Sequence, residues 1–197
     1  MKITDIESYI VVAPDLREDA TSSSQDNIVV VVHTDEGITG VGETDTGPWI
    51  AKSVIESPGS HSMALGIKDL LIGQDPLQTS ALWQKMYVGT CMSTRRGAGM
   101  CAIGAIDMAL WDIKGKALNQ PVYKLLGGAQ VDHIVPYASL QPHGSTVEQY
   151  RDSLVKWLLL TRSHGFQAAK LECTLGGPYA HTGLQGTDEE MTEIIVA

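Results

Sequence analysis

Cysteine is scarce in this sequence: Cys91, Cys101 and Cys173 are the only three. They are odd in number and widely spaced with no C-x-x-C, so neither a disulfide framework nor a cysteine zinc site is suggested, and the thiols read as buried or idle. The histidines are equally scattered, without an H-x-x-x-H pair that a helix would bring to one face. Positive charge is also short. Lys and Arg number 14 against 23 Asp and Glu, the net charge is -9, and no basic cluster forms beyond Arg95-Arg96. That balance disfavours attraction to nucleic acid or to an anionic membrane. Long apolar runs are missing too, and the opening "MKITDIESYIVV" mixes acids into its apolar residues too early for a secretory signal. The expectation is a cytoplasmic protein with neither a nucleic-acid nor a membrane partner.

What is present suits a packed core. With 197 residues, 43% of them hydrophobic, the chain can build one large domain or two small ones. Ile3 to Val12, "NIVVVVHT" from Asn27 and "ITGVGET" from Ile38 read as three β segments. The last two form a hairpin across Asp35-Glu36-Gly37. Between the first two lies a polar connection, Ala13 to Gln25, long for a hairpin; it reads as a lid or binding loop or as a plain surface connection. From Pro48 to Tyr87 the pattern turns helical, broken at Pro58-Gly59 and near Pro76. A mostly buried helix follows, with Ile103, Ile106, Leu110, Ile113 and Ala117 at helical spacing. Gly97, Gly99 and Gly104 with the alanines suggest close approach of a neighbouring backbone, and Asp112 with Lys116 an i,i+4 pair. Pro121 opens a short helix that Gly127-Gly128 closes.

After that the grammar changes. "HIVPYASL" from His133 is a strand candidate, and Ser145 with Glu148 predicts a capping box for a helix whose apolar face runs Val147, Tyr150, Leu154, Trp157 and Thr161. Gly165 falls at the helix end, "GFQAAKLEC" is the next strand, and Thr187 with Glu190 caps a further helix. Strand, helix, strand, helix is the rhythm of a parallel α/β sheet. Two parallel strands cannot bury both faces, so the chain reads as the front of something longer.

The strand at Gly165 raises a chemical question. Its alternation aims Ala168, Lys170 and Glu172 one way and Ala169, Leu171 and Cys173 the other. In a β/α barrel the C-terminal strand end opens on the active site, where a partly desolvated lysine can act as a base. An edge strand facing water, or an internal ion pair, accounts for the same two charges.

"GAGMCAIGAIDMALWDIKGKALNQPVYKLLGG" resembles the segment ending the N-terminal capping domain in the mandelate racemase/muconate lactonizing enzyme branch of the enolase superfamily. "VVVVHTDEGITGVGET" is similar to that domain's hairpin and "GFQAAKLEC" to the second barrel strand. The resemblance implies an α+β capping domain over residues 1–130 followed, over 131–197, by the first two β/α units of an incomplete, modified TIM-like barrel. It implies proton abstraction α to a carboxylate, with Mg²⁺ stabilising the enediolate. Many relatives carry Lys-x-Lys on the second strand, whereas this chain has Lys170-Leu171-Glu172. An anion in the second position favours the ammonium form of Lys170 and disfavours a lysine-based racemase. The nearer pattern is an acid-sugar dehydratase whose base is a histidine from a late strand, with Lys170 orienting or neutralising substrate and Glu172 holding it. By the same resemblance Arg17 in the long loop, His181 after the second strand and, more weakly, His143 after the first are substrate-binding candidates; the plainer reading of each is an ordinary surface-loop residue. The Mg²⁺ ligands belong to strands beyond residue 197, so no metal ligand is assigned within this chain, which is expected to be inactive alone. The implied partner is a small-molecule carboxylate, an acid sugar, and the implied assembly a homo-oligomer. The alternatives are a racemase, epimerase or cycloisomerase, or a non-catalytic fragment acting as an interaction module.

Overall fold

The computed structural model describes residues 1–16, 25–45, 47–61, 64–94, 96–140, 142–171 and 186–196. The chain divides into two compact units, Met1–Ala129 and Gln130–Ala197.

The first unit begins with strand β1 (Ile3–Val12), β2 (Asp26–Thr34) and β3 (Thr39–Thr44), paired antiparallel in the order β1-β2-β3. Alternation sets the faces. Ile6, Ile28, Val30 and Val32 are buried, while Tyr9, Val11 and Val41 stand exposed on the other side. The expected β2–β3 hairpin forms, and Gly37 takes the left-handed conformation its turn requires (φ 78°). β1 and β2 are also hairpin partners despite the long link between them. The Ala13 amide donates to the Gln25 carbonyl at 2.6 Å, so the loop is pinched shut at its base.

Helices α1 (Pro48–Glu56), α2 (Ile67–Leu71), α3 (Thr79–Gly89), α4 (Ala98–Ala117) and α5 (Val122–Leu125) follow. α1 and α4 lie against the sheet, and Ile103, Ile106, Leu110 and Ile113 join the sheet's inner residues in one core. The close backbone approach expected of this helix is real, but it is made mainly by other glycines. Gly97 and Gly104 have open space where a Cβ would sit, and only Gly99 of the three is crowded, by the Thr94 carbonyl. The strand residues Gly40 and Gly42 instead admit the α4 backbone, with the carbonyls of Ala109 and Ala105 where side chains would start. Asp112 and Lys116 pair at 2.6 Å and also serve β3, which is an edge strand. Asp112 Oδ2 accepts from the Val41 amide (2.9 Å), and Lys116 Nζ donates to the Thr39 carbonyl (2.8 Å). The edge is thereby closed to further pairing.

In the second unit, strands β4 (Tyr137–Ser139) and β5 (Ala168–Lys170) pair in parallel, flanked in sequence by helices α6 (Val147–Ser163) and α7 (Asp188–Val196). β4 is shorter than the run from His133 suggested; Ile134 and Val135 are exposed and unpaired in any ladder. The α6 cap sits one residue later than expected. Thr146, not Ser145, is the N-cap, its hydroxyl accepting from the Gln149 amide at 3.2 Å, while Gln149 Oε1 accepts from the Ser145 amide. The buried stripe accordingly reads Val147, Tyr150, Leu154 and Leu158, with Trp157 40% exposed beside it. The far end of α6 closes in a Schellman motif: Gly165 (φ 89°) donates to the Arg162 carbonyl and Phe166 to that of Thr161. The α7 box is reciprocal, Thr187 amide to Glu190 carboxylate (2.7 Å) and Glu190 amide to Thr187 hydroxyl (3.2 Å).

Candidate functional site

Parallel pairing puts the C-terminal ends of β4 and β5 together, and the sequence puts polar side chains there. The register sets Tyr137 beside Ala168, Ala138 beside Ala169 and Ser139 beside Lys170. Register partners share a face. Ala138, Leu140 and Leu171 pack with Tyr150, Leu154 and Ile194 beneath the helices, leaving Tyr137, Ser139, Ala168 and Lys170 on the opposite, exposed face. The register thus gives Lys170 the parity expected of it, although Ala169, on the helix side, is itself exposed. Lys170 itself is exposed.

His143 follows β4 at the same end. Its amide donates to Ser153 Oγ at 3.1 Å, and the adjacent Gly144 presses on the backbone of Gln149 and Tyr150, where a Cβ would collide. The loop is tied to the start of α6, with the His143 residue exposed. Glu172, Arg17 and His181 lie outside the described residues. Ser139, the register partner of Lys170, is a candidate that sequence reading overlooked. Its signal was there, since "YAS" places it on the same side as Tyr137 and opposite the buried Ala138.

Two recesses in this unit lie at the other end of the sheet. One of about 560 Å³ is lined by Leu158, Leu159, Arg162, Phe166, Ala168 and Ala169, and one of about 240 Å³ by Ile134, Val135, His164 and Phe166 among others. Both flank the start of β5, away from Ser139 and Lys170, and mix apolar walls with polar residues such as Arg162, His164 and Gln167.

In the first unit the perturbed carboxylates have structural causes. A hydrogen bond from Lys68, whose Nζ lies 2.5 Å from Asp5, holds the Asp5 carboxyl below its usual range. Hydrogen bonds from Tyr9 and then His33 (Nε2 to Oε2, 2.7 Å) do the same for Glu7. Burial pushes Asp107 on α4 upward, opposed by its hydrogen bond to Trp111. Lys114 Nζ in turn sits 5.0 Å over the Trp111 ring. Asn27 Nδ2 donates to Glu43 at 2.7 Å, bracing β2 against β3 at the end where the long loop leaves. Among the described residues no group of three or more His, Cys, Asp or Glu side chains could hold a metal ion, and no helix is long and apolar enough to cross a membrane. Cys91 is exposed and Cys101 half-buried, both as free thiols.

The family profile described as "Mandelate racemase / muconate lactonizing enzyme, N-terminal domain" matches residues 8–127. The D-mannonate dehydratase of Sphingomonas sp. (strain SKA58) is 36% identical over 159 residues, covering 80% of this chain and 36% of its own. The solved 3,6-anhydro-D-galactonate cycloisomerase of Zobellia galactanivorans superposes with a TM-score of 0.68 at 33% identity, over 86% of this chain and 42% of that one. A candidate dehydratase from Zymomonas mobilis ZM4 superposes at 0.70 with 32% identity, over 98% of this chain and 49% of that one. The chain thus spans well under half the length of the curated relative and about half that of the solved structures.

Proposed function

The chain belongs to the mandelate racemase/muconate lactonizing enzyme family, and from that premise we propose that it supplies the capping domain and first two β/α units of an acid-sugar dehydratase. The reaction removes the proton α to a carboxylate and expels the neighbouring hydroxyl as water; the resulting enol tautomerises to a 2-keto-3-deoxy acid. The observation that supports it is the pairing of Ser139 with Lys170 at the C-terminal end of a parallel sheet, on the face its helices leave uncovered. That is where a β/α barrel places residues that meet substrate.

In this reading Lys170 binds and orients the substrate carboxylate, Glu172 holds Lys170, and Ser139 offers a hydroxyl beside them. Arg17, His181 and His143 are assigned to substrate contacts. The base is a histidine contributed from outside this chain. Mg²⁺ is the cofactor the reading carries, and the described residues form no site for it, so its ligands are assigned outside them. The assembled enzyme is a homo-oligomer, and the 197-residue chain is inactive by itself.

The test is a chimera in which this chain replaces the matching N-terminal part of the Sphingomonas D-mannonate dehydratase. With acid sugars and Mg²⁺ it should release 2-keto-3-deoxy acids, and Lys170→Ala should lower kcat/KM by about 100-fold. A folded chimera inert toward every acid sugar would end the proposal. A second reading, racemase or cycloisomerase, draws support from the cycloisomerase among the solved relatives. Deuterium exchange at the α-carbon without keto-acid release would favour it.

A further inference from the structure

The loop that leaves β4 is held at four consecutive residues, 142 to 145. Pro142 is buried, and its ring fixes its own φ. The His143 amide donates to Ser153 Oγ at 3.1 Å, a bond spanning ten residues. Gly144 lies so close to the backbone of Gln149 and Tyr150 that a Cβ would collide. The Ser145 amide adds a further tie, to Gln149 Oε1 at 3.0 Å. The residue that these ties surround, His143, is nonetheless exposed.

Ser153 is not needed to start the helix. The first turn of α6 is already capped by Thr146, whose hydroxyl accepts from the Gln149 amide. Helix hydroxyls ordinarily turn to a carbonyl of their own helix, as Ser53, Ser163 and Thr192 do. Ser153, in the second turn of α6, reaches the loop. A backbone held so firmly beneath an exposed imidazole suits a side chain that must meet a ligand in one place. Fixing a binding residue in advance removes the entropy that a mobile loop would lose when the ligand arrives.

We infer that Ser153 is a positioning residue for substrate binding: its hydroxyl fixes the His143 backbone, so that the imidazole is already placed when an acid sugar binds. The inference deepens the reading above and rests on its assignment of His143 to a substrate contact. In this role Ser153 touches no reacting atom. Its loss weakens binding and leaves the chemical step alone.

The test uses the Sphingomonas chimera described above, with D-mannonate as probe and both KM and the calorimetric Kd as readouts. Ser153→Ala should raise KM and Kd by about fivefold with kcat nearly unchanged. Ser153→Thr, which keeps the acceptor, should restore both. Alanine is the better helix former, so Ser153→Ala should fold as the wild type does by circular dichroism. On a His143→Ala background Ser153→Ala should change neither constant, because it acts only through His143. Wild-type KM and Kd for Ser153→Ala overturn the inference. So does an equal loss on the His143→Ala background, which would mean that Ser153 merely packs the loop. An inert chimera that binds D-mannonate and loses affinity with Ser153→Ala sinks the dehydratase reading and spares this one. An active chimera indifferent to Ser153→Ala does the reverse, and one that neither turns over nor binds D-mannonate overturns both.

Discussion

At Gly42 the β3 backbone lies so close to α4 that a methyl group would meet the Ala105 carbonyl. Gly42→Ala should therefore destabilise the first unit by about 3 kcal/mol, through strain between two backbones that cannot yield separately. Gly104→Ala, facing open space on a helix, should stabilise slightly, and denaturant midpoints of the two variants compare them directly. Asp107 makes a pH prediction. Burial raises its folded-state carboxyl above the unfolded value, so it opposes folding wherever the unfolded carboxyl is ionised, and that opposition fades as pH falls through the raised folded value. Asp107→Asn, which keeps an acceptor for Trp111, should raise the denaturation midpoint at neutral pH and lose that advantage at acid pH. Asp5 and Glu7 act in the opposite sense. Their carboxyls are held down by Lys68 and by Tyr9 with His33, so their stabilisation is present above the ordinary carboxylate range and is lost as pH drops through the depressed values.

The elements depend on their ends. α6 is held by Thr146 at one terminus and by the Gly165 turn at the other, and its 17 residues bury only Tyr150 and Leu154. With so short a buried stripe, the caps contribute a large share of what holds the helix ends. Thr146→Ala should cost about 1 kcal/mol and accelerate amide exchange in the first turn, while Ser145→Ala, which keeps the amide bonded to Gln149, should change little. At β3, Asp112→Ala removes the acceptor for the Val41 amide and the partner of Lys116 together. It should speed exchange at that amide and expose an edge prone to intermolecular pairing, read as concentration-dependent light scattering.

On the scale of the molecule the two units are unequally provided. The first joins sheet residues from Ile3 to Val32 with helix residues as far as Ile113 in one cluster. The second has Ala138, Leu140, Tyr150, Leu154 and Ile194 as its buried centre. Residues 1–129 expressed alone should therefore unfold cooperatively with nearly the midpoint of the intact chain. Residues 130–197 alone should show early exchange throughout and no sharp thermal transition. A cooperative transition in the shorter piece would mean that its parallel sheet needs no further cover.

Local patterns were enough for much of this. Alternation located β1, β2 and β3, period and proline breaks located α1 through α4, and the Thr187–Glu190 box and Gly165 marked helix ends, because each is settled by neighbours within a few residues. The parity of Lys170 was legible for the same reason. The N-cap of α6 was not, since Ser145 and Thr146 both qualify and packing of Tyr150 and Leu154 chooses between them. Nor could the chain show that Gly40 and Gly42, rather than Gly97 and Gly104, carry the strand–helix contact, or that Ser139 lies beside Lys170. Those are relations between segments far apart in sequence, and only tertiary packing brings the backbones together and selects which glycine is crowded and which side chains share a face.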